Sequence, residues 1–433
     1  MNASLSPEAN EVIKRAIKEL EAELQAALDS LEQAKARVNY ITEQLKEHRS
    51  LIAPMRKLPV ELLSELFVLA SRIEDLAPVK ITEVCRLWRQ VILVTPQAWS
   101  RIWFDNSLSP ERSHRYVSTF LKRSNPIQLH IRLPPEFDPS YYSMGFSLHS
   151  ILYENLHRIQ CLTASGWQVA RLNLVTLPNV RQISFTKGTG ERIRPSDINV
   201  STFPQLEAID SLCALWLNLA APSPDRFPNL LRLSLSVDMQ SAWLEIIQCA
   251  ASTLESLILW GRQEYDVPED FAFDLPALKS LEILDFPYNK PWAARIKTPS
   301  LVSYRESRIQ ADLFISECAA ITSHPDVGSV THLHTDIVPE LSRFPALQVL
   351  GLQIPSESTR LLSSQFKENG QLCPFLEKME LILDSSPKEA FIDFKRELCE
   401  VVEDAKRDIK VLFTTERRLD MPFDLVDTLV SMF

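Results

Sequence analysis

Glycine is scarce in this chain: 8 residues in 433, against 28 prolines. Loops that cradle phosphate, nucleophile elbows and tight-turned barrels all rely on glycine's backbone freedom. Their chemistry is therefore disfavoured, and proline must punctuate the elements instead. Cysteine is scattered: positions 85, 161, 213, 249, 318, 373 and 399, with no CxxC pair. An odd, widely spaced set reads as reduced thiols rather than a disulfide frame or a zinc cluster. Positive charge is in deficit, with a net charge of −10. Duplex binding needs a Lys/Arg surplus to displace counterions, so nucleic acid is not expected as a partner. Long apolar runs are missing too. The stretch Val91–Val94 is far too short to span a bilayer, and Met1–Asn10 is polar, without the basic and apolar regions of a secretory signal. These absences predict a soluble protein of the cytoplasm or nucleus that engages no membrane.

Signatures of catalysis are also lacking. His332 and His334 sit at strand spacing and could begin a metal site, with His324 near in sequence, but no further ligand stands out. They read as exposed strand histidines. Gly188-Thr189-Gly190 lacks the third glycine of a dinucleotide loop and reads as a turn. No Ser/His/Asp signature, phosphate loop or paired-carboxylate motif is evident. The expectation is a protein without catalytic residues, metal or cofactor.

What the chain does have is periodicity, on an ordinary composition of 45% hydrophobic and 24% charged residues. Ile17, Leu24, Leu31, Val38 and Leu45 form one heptad seam. Ile13, Leu20, Ala27, Ala34 and Ile41 form the other. Alternating spacings of three and four are the coiled-coil register. A helix over residues 8–50 is predicted, ended by Pro54. Residues 13–45 either self-associate or fold back on their own chain.

Residues 58–103 read as a compact helical block. Leu58-Pro59-Val60-Glu61 opens a helix, with proline in the first turn where a missing N–H costs little. Leu62, Leu63, Leu66, Phe67 and Ala70 follow at helical spacing. Beyond Pro78, Ile81, Val84, Cys85, Trp88 and Ile92 form a second stripe, and Trp99, Ile102 and Trp103 add bulk. So short a block cannot bury so many large apolar groups internally. The excess is expected to dock against a partner.

From about residue 150 a motif apolar-x-x-apolar-x-apolar recurs. It starts at Ile159, Val180, Leu230, Leu254, Leu278, Leu347 and Leu376, with weaker copies at Leu206, Leu301 and Val330. The starts at Leu206, Leu230, Leu254, Leu278 and Leu301 lie 24, 24, 24 and 23 residues apart. That period falls in the leucine-rich-repeat range. Proline stands two residues before most starts, where it stops a helix and launches a strand. The usual turn asparagine is missing. Residues 386–408 read as a last helix (Phe391, Phe394, Leu398, Val401, Val402) and 409–413 as a last strand. Together they would cap the array.

In such repeats the apolar positions point inward and the x positions line the other face of the strands. That face would carry Arg232, Ile258, Trp260, Glu282, Leu284 and Arg305, with Trp260 and Leu284 as neighbours one repeat apart. An aromatic beside aliphatics, rimmed by Arg and Glu, is the makeup of an interface anchor. These six are the candidate target-binding residues, unless another part of the chain covers them.

The segment Pro54–Phe67 resembles the opening of an F-box. Val84-Cys85-Arg86-Leu87-Trp88-Arg89 and Thr95-Pro96-Gln97-Ala98-Trp99 resemble its second half. With the upstream heptads, and Phe120–Ser124 and Pro126–Ile131 downstream, the layout is similar to the F-box-like proteins abundant in mushroom-forming fungi. The resemblance implies α+β architecture: coiled-coil helix 8–50, helical F-box 54–104, and an irregular leucine-rich-repeat-like α/β solenoid with a C-terminal cap over 105–433. It also implies docking onto the adaptor subunit of an SCF ubiquitin ligase. By position, Leu58, Pro59, Leu62, Leu63, Leu66, Phe67, Val84, Cys85, Trp88 and Trp99 would serve that contact. The function implied is a non-catalytic substrate receptor, binding the ligase adaptor and an unidentified target protein. The rival readings are an interaction scaffold without a ligase and, from another class, an unrecognised enzyme.

Overall fold

The computed structural model describes residues 7–52, 54–104, 110–133, 154–165, 168–169, 176–186, 201–211, 227–237, 243–261, 272–286, 295–308, 327–336, 338–355, 359–369, 372–384, 396, 398 and 409–414. The expected turn at 188–190, His324, Cys213, Cys318, Cys399 and nearly all of the expected helix 386–408 lie outside these residues. The chain divides into two compact units, residues 1–95 and 96–433, and it mixes helix with strand.

The first unit opens with α1 (Pro7–Ile52), a single helix of 46 residues. Three short helices follow: α2 (Val60–Ile73), α3 (Ala77–Val84) and α4 (Arg86–Leu93). Pro59 is the N-cap of α2, one residue earlier than the sequence suggests, and its carbonyl accepts from Leu63 N at 3.1 Å. Leu63, Phe67 and Ser71, four residues apart, form its buried side. The stripe from Ile81 to Ile92 is split between α3 and α4. Cys85 breaks it in an extended conformation, and its thiol caps α4 by accepting from Trp88 N at 3.5 Å. Ile81 and Ile92, on either side of the break, are both buried. Phe67 and Trp88 pack ring to ring at 5.1 Å.

The second unit is built on a 13-stranded sheet whose neighbours all run parallel. Its strands are β1 (Arg101–Trp103), β2 (Leu129–Arg132), β3 (Ile159–Ala164), β4 (Gln182–Phe185), β5 (Ala208–Ser211), β6 (Arg232–Val237) and β7 (Ser256–Gly261). A two-residue strand, β8 (Phe273–Asp274), pairs only with β10 (Ile296–Lys297). The main sheet continues with β9 (Ser280–Phe286), β11 (Ser303–Arg308), β12 (His332–Thr335), β13 (Val349–Pro355), β14 (Lys378–Asp384) and β15 (Lys410–Thr414). Each main strand pairs with the next in the chain, so spatial order follows sequence order throughout.

From Val180 onward, every motif copy, weak ones included, opens a strand two residues later. In register, the second apolar position of successive copies forms one continuous row. Leu233, Leu257, Leu281, Tyr304, Leu333 and Leu350 are among its members, and each of these is at most 1% exposed. The row extends back to Ile102 on β1. Residues 96–104, which the resemblance groups with the helical F-box, therefore pack in the sheet unit. Trp99 is fully buried there, edge-on to Phe120 of the helix α5 (Pro110–Arg123) at 5.0 Å and under Arg123 at 4.3 Å. Trp99 ends a short 3-10 turn (Pro96–Trp99) just before β1, and burial in the sheet unit removes its large apolar ring from water.

The prolines do more than end helices. Pro178, Pro204, Pro228, Pro276, Pro299, Pro345 and Pro374 each occupy the second position of a hydrogen-bonded turn. In these turns the motif's first residue donates to the residue just before the proline, as Leu230 N does to Phe227 O at 3.3 Å. The fixed φ of proline suits that position. The residues before them are buried, and most, including Phe203, Phe227, Leu275 and Phe344, add a further apolar position to their repeat. A second ladder replaces the missing turn asparagine. Asn229, Thr253, Ser300 and Ser329 each stand directly before a motif start. Their side chains donate to carbonyls one repeat back: Pro204 O (3.0 Å), Leu230 O, Pro276 O and Leu301 O (2.7 Å each).

Near the sheet's first edge, the buried Arg158 holds the 121–127 turn. Its guanidinium donates to Leu121 O, Ser124 Oγ, Ile127 O and Asn155 Oδ1 at 2.8–3.2 Å. Besides α5, two more described connections are α-helical. Trp243–Ala250 is α6, with Trp243, Ile246 and Ile247 buried, and Thr359–Glu368 is α7.

Candidate interaction surfaces

Two surfaces follow from the arrangement, one in each unit. In the first, the sides of α2 have different fates. Leu63 and Phe67 are buried in the helical core, whereas Leu62 and Leu66, also four residues apart, are 51% and 40% exposed. Val84 and Leu87, at the α3–α4 junction, are exposed as well, as are Ile73, Leu76 and Val94. Scattered exposed leucines are normal, but this density on three short helices is not, which makes it a candidate surface for binding. Around it, Pro59 is exposed, and Leu58, Cys85 and Trp88 are half-buried. Of the residues carried over for an adaptor contact, Leu62, Leu66, Val84 and Pro59 are thus presented to solvent. Leu63 and Phe67 act from beneath by fixing α2. Trp99 lies in the other unit.

The second surface is the face of the sheet opposite the apolar row. Register aligns Asp210, Ser234, Ile258, Glu282, Arg305, His334, Gly351 and Glu380 across eight consecutive strands. Beside them Trp260 pairs with Leu284, as the repeat spacing predicts. Trp260 is half-buried and donates its indole N–H to Ser234 Oγ at 3.2 Å. Ile258 is half-buried and Arg232 exposed. Glu282, Leu284 and Arg305 are buried, at 6%, 4% and 4% exposure. Arg305 Nη1 lies 3.5 Å from Glu282 Oε2. This half of the candidate target face is therefore already covered, and Arg232, Ile258 and Trp260 are the part that a partner can reach.

The electrostatics of the row are set by crowding. His334 does not stand exposed, as strand spacing alone suggested. It is half-buried, with protein atoms packed closely around the ring. Burial pushes its imidazole down to about 4, opposed by Glu380 and reinforced by Arg305, His332 and Lys378. It is neutral at neutral pH. The ring lies over the backbone of Gly351, where a Cβ would come within 2.1 Å of Nδ1. Only glycine leaves that space, and no sequence motif announced it. Asp210 is pushed up by burial, with a hydrogen bond from Ser234 working against the shift. Glu380 is paired with Lys378 at 2.7 Å.

Among the described residues, no three His, Cys, Asp or Glu side chains cluster as metal ligands. Also among them, no helix is long and apolar enough to cross a membrane. Cys85 and Cys161 are free thiols, and burial raises the Cys161 pKa. Set against known proteins, the chain matches no family model, and no curated protein matches it.

Proposed function

We propose that the chain is a non-catalytic substrate receptor of an SCF-type ubiquitin ligase. The helical block of the first unit acts as an F-box that docks on the ligase adaptor. The sheet unit is a leucine-rich-repeat-like solenoid that holds a target protein. The protein carries out no chemistry of its own and acts by proximity, holding a target lysine near the conjugating enzyme.

The observation that carries this reading is the split use of α2. Leu63 and Phe67 are spent on the core, and Leu62 and Leu66 are left in solvent, along with Val84 and Leu87. Exposed apolar groups on so small a helical block call for a partner. The solenoid is supported by the unbroken sequence order of the parallel strands and by the 23–24-residue period between Leu206 and Leu301. On that reading the target contacts Arg232, Ile258 and Trp260, and Glu282, Leu284 and Arg305 support them from the side. Co-precipitation of the full-length chain with purified adaptor tests the proposal, with Leu62→Asp/Leu66→Asp as the control. Retention by the unchanged chain and loss in the double variant are expected. Failure of the unchanged chain to bind would remove the ligase role.

A further inference from the structure

We propose that α1 forms an antiparallel two-stranded coiled coil with α1 of a second copy of this chain, its two-fold axis passing near Leu28–Ser30. Along the whole helix both seams lie open. Ile17, Leu24, Leu31 and Leu45 are 49–62% exposed, and Leu20 is 64% exposed. An amphipathic helix of about 70 Å with no cover on its apolar stripe needs a partner of equal length. A second copy of the same helix supplies one, and the sequence fixes its direction.

In a parallel pair each seam residue meets its own copy. Ala27 would face Ala27 and Ala34 would face Ala34, leaving two thin layers around Leu31. The flanking positions would add nothing, since Glu23 would meet Leu28, Ser30 would meet Lys35, and Arg37 would meet Thr42. In an antiparallel pair one seam meets the other. With the helices fully overlapped, Leu24 packs on Ala34, Leu31 on Ala27, Val38 on Leu20, Ile17 on Ile41 and Leu45 on Ile13. Every alanine then has a leucine opposite, and the volume is even along the core.

The charges select the same register. Flanking positions now meet their own kind, which sets Glu21 against Lys35 and Glu23 against Arg37 of the second copy, each twice by symmetry. Four ion pairs form and no like charges meet. Leu28, 49% exposed and off both seams, meets its own copy on the axis, which accounts for an apolar residue there. Sliding one copy by a heptad loses all four pairs and brings Lys14 against Arg49. The register that satisfies packing and charge is also the one that pairs Pro7–Ile52 end to end. This inference stands apart from adaptor binding, which uses other helices.

Sedimentation equilibrium of the full-length chain at low micromolar concentration tests it. A dimer is expected. Glu21→Lys/Glu23→Lys replaces four attractions with four repulsions and should raise the dissociation constant at least about tenfold. Adding Lys35→Glu/Arg37→Glu should restore the dimer, because the pairs re-form with signs exchanged. Circular dichroism checks that each variant keeps its helix. A monomeric unchanged chain would overturn the proposal. So would a dimer indifferent to the charge reversal, since in the parallel arrangement these four residues have no charged partner.

Discussion

At Gly351 one missing side chain decides where another can lie. The His334 ring occupies the space a Cβ would take, so Gly351→Ala must expel or tilt the imidazole. Overpacking of this kind costs about 1–3 kcal/mol, and chemical denaturation is expected to show a loss of that size. His334→Ala/Gly351→Ala should recover part of it, because the clash then disappears. A glycine valued only for turn conformation would show no such coupling. The same histidine gives the protein a pH response of definite sign. Its folded pKa is lowered to about 4 from an ordinary 6.5, so between those values the unfolded chain binds the extra proton. Stability is full above about pH 6.5 and falls as pH drops toward 4, by about 3 kcal/mol at most. Asp210, pushed up by burial, works in the opposite sense at the acid end. Denaturation midpoints from pH 7.5 to 4.5 should decline in the unchanged chain and flatten in His334→Ala. Neither effect was legible beforehand. A histidine at strand spacing looks the same whether water or a neighbouring backbone faces it, and only the register that sets His334 against Gly351 tells which.

Elements were easier to read than residues wherever a period ran unopposed. The heptads of α1 were plain from Ile13 to Leu45 because no tertiary packing competes with them. The strands followed their motif starts because inward apolar positions repeat on a fixed register. Where two readings shared one pattern, the sequence misled. Ile81 to Ile92 keeps helical spacing across a break, because Cys85 changes the direction of the backbone without disturbing the period. Trp99 and Ile102 read as ends of a helical block, but strand pairing claims Ile102 and packing on Phe120 claims Trp99 for the sheet unit. The side chains that tie successive repeats, Asn229, Thr253, Ser300 and Ser329, are too varied in type to register as a motif. These side chains tie each repeat to the one before, so Asn229→Ala and Ser300→Ala should each cost about 1 kcal/mol. Thermal unfolding of the single variants and the pair checks this, with near-additive losses because the sites lie in different repeats. On the target face, Trp260→Ala should weaken binding of an identified target at least about tenfold while leaving the melting temperature nearly unchanged. Unaltered affinity would remove Trp260 from the site.

The whole molecule divides into two units: one presents helices with exposed apolar side chains, and the other is built on a long ordered sheet. The mixture of helix and strand and the long N-terminal helix were legible in the sequence, because each element type has its own period. Which half of the target face stays accessible was not. Glu282, Leu284 and Arg305 carry the same strand spacing as the accessible positions, and spacing alone does not tell buried from exposed on that face. The central claim is that the exposed side of α2 docks on a ligase adaptor, and equilibrium binding of the full-length chain to purified adaptor tests it most directly. Saturable binding is expected, and Leu62→Asp/Leu66→Asp should abolish it while circular dichroism shows the helices kept, since the two side chains are 51% and 40% exposed. No binding by the unchanged chain, or binding that survives both substitutions, would contradict it.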